Sequence, residues 1–142
     1  MKKTRLAGAL TVCWLCVIWG NSLLPGESSS QVSGLVGQIL EKILPFLNME
    51  GENAMVILRK MGHFSEFAVL GALLAWLGAL LEKGGFRPVF WGIAAAAADE
   101  TIQLFVPDRH GCVTDVLIDT AGVVTGVVLL LICRKIYKTR CR

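Results

Sequence analysis

Residues 113–133 read VTDVLIDTAGVVTGVVLLLIC, an apolar run with two carboxylates near its start. As a helix, this run is long enough to cross the hydrocarbon core of a bilayer, which takes about 20 predominantly apolar residues. A charged side chain at the bilayer centre costs roughly 2.5–3.5 kcal/mol on insertion scales. Because that cost is high, we expect Asp115 and Asp119 to serve a function.

The rest of the chain is also apolar. Of its 142 residues, 54% are hydrophobic and only 18% are charged, and the mean hydropathy is +0.62. A soluble domain of this length would be less apolar, so the composition indicates an integral membrane protein with one domain over residues 1–142. We predict an all-α fold, an integral membrane bundle of four transmembrane helices at about 6–24, 60–82, 86–106 and 113–133.

Two segments would depend on their surroundings. The predicted third span is interrupted by Asp99, Glu100 and Gln103, so its insertion would rely on neighbouring helices that pair these groups. Between the first two spans, apolar residues recur at helical spacing over about 29–44, opposite a polar face. This pattern predicts a short amphipathic helix that lies at the outer membrane interface.

The basic residues predict the orientation. The first span resembles a secretory signal, but no A-x-A cleavage site follows it, so we expect it to remain as an uncleaved span. Lys and Arg cluster at 2–5, 83–87 and 134–142, which all fall on one side of a four-span bundle. That side is expected to be cytoplasmic, together with both termini. Arg59 and Lys60 would lie at the opposite end, so their position needs an explanation.

Polar residues of the last three spans fall at a similar depth. Helical spacing places His63 and Glu66 on one face of the second span, and Asp99 and Gln103 on one face of the third. At about 1.5 Å per residue, each group lies within roughly 12 Å of the outer end of its span. The predicted outward-facing pocket comprises Arg59, Lys60, His63, Glu66, Asp99, Glu100, Gln103, Arg109, Asp115 and Asp119. Gly122 and Gly126 would let the last span approach a neighbour closely.

This pocket is acidic, with five carboxylates against three permanent bases and a charge of −2 when histidine is neutral. A low-dielectric site would hold such an excess only with protonated carboxyls, a charged histidine or a bound cation. Carboxylate oxygens favour Mg²⁺, Ca²⁺ or Mn²⁺, and a histidine would also allow Zn²⁺. Purely structural interhelical bonding is the alternative. The candidate ligands for a divalent cation are His63, Asp99, Asp115 and Asp119.

Three ordered blocks resemble those of VanZ-like membrane proteins. Residues 59–71 read RKMGHFSEFAVLG, similar to the family's RKxxHFxEYxxLG block. Residues 99–109, DETIQLFVPDR, and 115–122, DVLIDTAG, are similar to its second and third blocks. Phe67 stands where the family usually has tyrosine, and Asp108 where glycine is common. The first span is similar to the family's first span more loosely, at Trp14, Val17, Ile18, Ser22 and Pro25.

The resemblance implies a multi-pass protein of the bacterial cytoplasmic (inner) membrane with about four helices. The family takes its name from a factor that lowers susceptibility to the glycopeptide antibiotic teicoplanin. The molecular activity of that family is poorly defined. The resemblance therefore implies a role in the cell envelope and a link to antibiotic resistance, and it leaves the chemistry open.

Three functions are compatible with these observations, and whether the chain is an enzyme is open. In the first, the pocket binds the headgroup of a membrane lipid or cell-wall precursor, with Arg59, Lys60 and Arg109 facing phosphate. In the second, the acids and His63 hold a metal or move protons in a hydrolase or transferase acting on lipid-linked substrates. In the third, the chain is a non-catalytic scaffold for an envelope enzyme. Nucleic-acid binding is not expected, because the basic residues follow the membrane topology.

Overall fold

The computed structural model describes residues 1–24, 52–107, 109 and 111–140. Within those residues all regular secondary structure is α-helix and there is no strand, which confirms the all-α prediction. The predicted interfacial helix at about 29–44 lies outside the described residues. The four helices are α1 (Lys2–Ser22), α2 (Glu52–Leu80), α3 (Arg87–Gln103) and α4 (Val113–Arg140).

Two of these helices are long and apolar enough to cross a membrane, namely residues 59–80 of α2 and the whole of α4. Both coincide with predicted spans. Among the described residues, α1 and α3 do not reach the same combination of length and hydropathy, and α3 has only 17 residues. Both helices carry polar residues that are buried inside the bundle, Ser22 in α1 and Asp99 and Gln103 in α3.

The helices differ from the predicted spans mainly at their ends. Helix α2 begins at Glu52, before the predicted start at about 60, and α4 continues to Arg140, past the predicted end at 133. The last turn of α4 contains Lys138 and Arg140, and cations there interact favourably with the C-terminal end of the helix dipole. Helix α3 ends at Gln103, three residues before the predicted end of its span.

The closest helix pair is α2 and α4, which pack along most of their length. Gly122 of α4 lies against the backbone carbonyl of Phe64 in α2, and Gly126 lies against that of Ala68. A Cβ atom at either glycine would overlap these carbonyl oxygens. The close approach expected from Gly122 and Gly126 is therefore present, and it brings the first turns of α4 against the polar face of α2.

The bundle has polar groups inside and apolar groups outside. Asp99, Gln103 and Asp119 are completely buried, whereas large apolar side chains such as Trp91 and Leu129 are exposed. This distribution suits a chain surrounded by hydrocarbon, where polar groups must be satisfied internally. A small apolar core begins one turn away from the polar residues, and its members are Ile18, Phe67, Leu70, Ala75, Ala95, Ala96, Val123 and Val127.

Candidate functional site: an acidic cluster inside the bundle

Two aspartates from different helices face one histidine. Nδ1 of His63 in α2 lies 3.7 Å from Oδ1 of Asp119 in α4 and 4.0 Å from Oδ2 of Asp99 in α3. Both aspartate side chains have no exposed surface, and that of His63 is 13% exposed. Within the described part of the chain, Nδ1 of His63 and both carboxylate oxygens of Asp119 have no hydrogen-bond partner. These three buried polar atoms thus belong to facing side chains but form no hydrogen bonds with one another.

Asp99 is held in place from two sides. Oγ of Ser22, at the end of α1, donates a hydrogen bond of 2.7 Å to Oδ1 of Asp99. Nε2 of Gln103, one turn further along α3, donates one of 3.0 Å to Oδ2. Short bonds to a charged acceptor are strong, so Asp99 is fixed in orientation.

Glu100 also points into the bundle, although it is the neighbour of Asp99 on α3. The backbone N–H of Cys112 donates a hydrogen bond of 2.7 Å to its Oε2 atom. Gly111 permits this arrangement, because a Cβ there would lie only 2.6 Å from the backbone carbonyl oxygen of Glu100. The turn before α4 therefore directs the Glu100 carboxylate toward the other acids.

Four side chains together offer ligand atoms that all lie within 4.8 Å of one another, and we call them the acidic cluster: His63, Asp99, Glu100 and Asp119. This set differs from the predicted one, in which Asp115 stood in the place of Glu100. Asp115 lies one turn nearer the start of α4, and its Oδ1 atom is 3.2 Å from Nζ of Lys60. The ion pair with Lys60 holds Asp115 away from the cluster.

The residues at the mouth of the cluster are Arg59, Lys60 and Asp115, which we call the rim. Arg59 is exposed and donates a hydrogen bond of 3.0 Å from Nη2 to Oε1 of Gln103. The Lys60 side chain is 39% exposed, and that of Asp115 18%. Arg59 and Lys60, which the predicted topology left unexplained, thus each contact a polar partner on another helix.

Arg109 has a different environment from the one predicted. It is buried, and its guanidinium donates from Nε to the backbone carbonyl of Leu24 and from Nη2 to that of Asn21, both at 3.1 Å. Burial lowers the pKa of Arg109, but a guanidinium in a protein remains charged. Arg109 therefore binds the carbonyl groups at the end of α1 through Nε and Nη2.

The charges of the acidic cluster are not balanced by permanent bases. Among the described residues, no Lys or Arg nitrogen lies within 4.0 Å of a carboxylate oxygen of Asp99, Glu100 or Asp119. Lys60 pairs with Asp115 instead, and Arg59 and Arg109 donate to neutral acceptors. Among the described residues, His63 is the base whose nitrogen lies within 4.0 Å of buried carboxylate oxygens of the cluster.

The first helix supplies a side of the site that sequence reasoning missed. Asn21 donates a hydrogen bond of 3.1 Å from Nδ2 to Oε1 of Glu66, and Trp14 donates one of 2.9 Å from Nε1 to the Glu66 backbone carbonyl. Glu66 therefore faces α1 and lies outside the acidic cluster. The signal in the sequence was the pair Asn21 and Ser22, two polar residues at the end of an apolar segment.

The predicted site residues thus divide into three groups at one end of the bundle. The acidic cluster and Gln103 lie inside. The rim residues lie at the mouth. Glu66 and Arg109 lie against α1.

A comparison with known protein families gives one match. The family model described as VanZ/LLP1 matches residues 8–134, which include every residue of the acidic cluster and the rim. No curated protein and no solved structure matches the chain.

Proposed function

The chain belongs to the VanZ/LLP1 family and is thus a VanZ-like membrane protein of the cell envelope, and from this premise we propose that it binds a phosphate-bearing headgroup. The headgroup would be that of a membrane lipid or of a lipid-linked cell-wall precursor. The main support for the proposal is the position of Arg59. Its guanidinium is exposed and donates a hydrogen bond to Gln103, which lies in the buried polar interior.

Arg59 has the chemistry that a phosphate requires. An arginine has five N–H donors in a planar fork, and the hydrogen bond to Gln103 engages Nη2. The guanidinium can therefore still donate to phosphate oxygens in the bidentate manner that arginine favours. Lys60 lies next to it, and its ion pair with Asp115 leaves the rim with one net positive charge.

The surroundings of the rim favour a lipid over a soluble phosphate. Leu104, Phe105 and Val113 are all more than half exposed, and they lie at the end of α3 and the start of α4. Acyl or polyprenyl chains can contact such apolar side chains while the headgroup enters the mouth. Hydroxyl groups of the headgroup would donate to the Asp119 oxygens, which accept no hydrogen bond from the described residues.

The topology that goes with this function is a single four-span domain in the bacterial cytoplasmic membrane. Both termini would be cytoplasmic, and the rim would face outward. The basic residues at the opposite end support this orientation, since Lys83 and Arg87 follow α2 and Lys138 and Arg140 end α4. An outward-facing headgroup site would give the chain access to lipid-linked cell-wall precursors.

The proposal is tested by Arg59→Gln, which removes the charge but keeps a polar side chain. Purified protein would be mixed in detergent with phosphatidylglycerol, a polyprenyl pyrophosphate or diacylglycerol, and retention would be measured by native mass spectrometry. We expect Arg59→Gln to retain the two phosphate lipids at least about tenfold less, because a hydrogen bond to a charged group is worth about 1.5–3 kcal/mol. Diacylglycerol, which has no phosphate, should be unaffected.

The matched control is Arg87→Gln, which removes another exposed arginine at the opposite end of the bundle. It should bind lipid as the wild type does. Teicoplanin susceptibility of cells expressing equal amounts of each variant gives a second readout, in which Arg59→Gln alone should lose any protection. Equal retention of the phosphate lipids by Arg59→Gln and the wild type would contradict the proposal.

A second candidate is an embedded hydrolase or transferase acting on a lipid-linked substrate. The observation in its favour is the pair His63 and Asp119, whose unsatisfied buried atoms face each other like an acid and a base. The same mass spectra test the hydrolase, because water would cleave the added polyprenyl pyrophosphate into the polyprenyl monophosphate, of lower mass, and inorganic phosphate. The scaffold function depends on residues 29–44, which lie outside the described part of the chain.

A further inference from the structure

The acidic cluster has the composition and geometry of a metal site. We propose that His63, Asp99, Glu100 and Asp119 bind one divalent transition-metal cation such as Mn²⁺ or Zn²⁺. Their ligand atoms lie within 4.8 Å of one another and come from three different helices. A cation about 2.0–2.2 Å from each ligand holds neighbouring ligand atoms roughly 3 Å apart, so small side-chain movements close the shell.

Asp119 points to a bound ligand independently of how many acids the cluster contains. Asp119 is completely buried, and neither of its carboxylate oxygens has a hydrogen-bond partner among the described residues. A buried carboxylate without a partner is costly, and proteins retain one mainly where something else binds it. Nδ1 of His63 also has no hydrogen-bond partner among the described residues and lies 3.7 Å from Oδ1 of Asp119.

The other two ligands are oriented by groups outside the cluster. Ser22 donates to one oxygen of Asp99, and the backbone N–H of Cys112 donates to one oxygen of Glu100. In each case the second oxygen faces Gln103 and the interior. Hydrogen bonds of this kind, which fix metal-binding carboxylates from behind, are typical of the surroundings of protein metal sites.

The negative charge of the buried carboxylates also favours a bound cation. Three carboxylates are buried together, and the described lysines and arginines form no ion pair with them. The charged and titratable groups near them are His63 and Arg59 of α2 and the buried Arg109, while Lys60 is engaged by Asp115. A divalent cation would compensate most of this negative charge without adding a side chain.

The ligand types select the kind of cation. Ca²⁺ takes six to eight oxygen ligands, and Mg²⁺ prefers oxygen and retains several waters. One imidazole nitrogen among three carboxylates suits Mn²⁺ or Zn²⁺ better. The role of the ion as a bridge to a headgroup phosphate rests on the proposed function, but its binding to the protein does not.

The test uses the full chain purified in detergent without added lipid. The protein is treated with EDTA, desalted, exposed to MnCl₂, ZnCl₂ or MgCl₂ and desalted again, and bound metal is measured by inductively coupled plasma mass spectrometry. We expect about one equivalent of Mn²⁺ or Zn²⁺ in the wild type, much less Mg²⁺, and a higher melting temperature with metal than with EDTA.

Two aspartates of one helix provide the matched variants. Asp119→Asn should lose the bound metal and the rise in melting temperature, whereas Asp115→Asn, one turn away on α4, should keep both. If Asp119→Asn does not accumulate, Glu100→Gln replaces it, since glutamine can still accept the hydrogen bond from Cys112. A wild type that binds neither Mn²⁺ nor Zn²⁺, or equal metal content in the wild type and the cluster variant, would overturn the inference.

The outcome is separable from that of the lipid experiment. Metal bound to lipid-free protein together with unchanged lipid retention by Arg59→Gln would reject the proposed function and keep the metal site. Lipid retention that depends on Arg59 in a protein without metal would reject the metal site and keep the proposed function.

Discussion

The rim and the acidic cluster differ in how their charges are balanced, although helices α2 and α4 contribute to both. At the rim, Asp115 is partly exposed and pairs with Lys60 at 3.2 Å. One turn deeper, about 6 Å along the helix axis, Asp119 is completely buried and faces His63 at 3.7 Å without a hydrogen bond. Lys60, a permanent base, compensates Asp115, whereas among the described residues the base that faces Asp119 is the imidazole of His63. The inner position can therefore accept a charge from outside the chain.

Both pairs depend on the same helix spacing, so the largest expected effect comes from changing that spacing. Gly126→Ala places a Cβ against the backbone carbonyl of Ala68, and the helices must separate. We expect a loss of about 2–3 kcal/mol in the free energy of unfolding, because overpacking against a backbone is not easily relieved. Denaturant unfolding of the purified protein in mixed micelles measures this loss.

The control for that variant is Gly20→Ala in α1, where a new Cβ would have no atom of the described residues beyond its own helix within 4 Å. Alanine is favoured over glycine in a helix by about 1 kcal/mol, so this change should be neutral or stabilising. If Gly126→Ala also proved neutral, the close contact between α2 and α4 would not determine the distance between the rim residues or between His63 and Asp119.

Arg109 and Arg59 provide the next comparison, because one is buried against α1 and the other lies at the rim. Arg109→Ala removes two hydrogen bonds to the backbone carbonyls of Asn21 and Leu24. We expect a loss of about 2 kcal/mol in the free energy of unfolding, since hydrogen bonds to charged groups contribute about 1.5–3 kcal/mol and water recovers part of that. The same unfolding assay checks this value.

Arg59→Gln is the matched variant, and it should lower stability by less than about 1 kcal/mol because the side chain is exposed. Lipid retention should fall strongly in Arg59→Gln and change little in Arg109→Ala. A large loss of stability in Arg59→Gln and none in Arg109→Ala would show that the two arginines exchange the roles assigned to them.

The sequence predicted the all-α fold well because apolar segments of this length leave few alternatives. Helical spacing also placed His63 and Glu66 (i, i+3), and Asp99 and Gln103 (i, i+4), on shared faces. Gln103 does contact Asp99, whereas Glu66 turns toward Asn21 of α1. The sequence predicted the close approach at Gly122 for a similar reason, because small residues on one helix face permit backbone contact.

The sequence did not determine side-chain directions or contacts with distant elements. Glu100 is rotated about 100° from Asp99, and its inward position depends on the N–H of Cys112 in a turn that helical spacing does not describe. Arg109 was expected to face phosphate, but the carbonyls at the end of α1 engage it. These contacts depend on how α1 packs against the later helices, and no local pattern specifies that.

The smallest expected effect is that of the rim ion pair itself. A double-mutant cycle with Lys60→Met and Asp115→Asn should give a coupling of about 0.2–1 kcal/mol, the range for ion pairs that are partly exposed to solvent. The coupling should decrease in high salt, because exposed charges are screened over about 10 Å at 0.1 M ionic strength. Equilibrium unfolding of the four proteins at two salt concentrations measures it. A coupling well above this range that salt does not change would mean that the rim is as protected from water as the acidic cluster, and the contrast between Asp115 and Asp119 would then be one of partner rather than of depth.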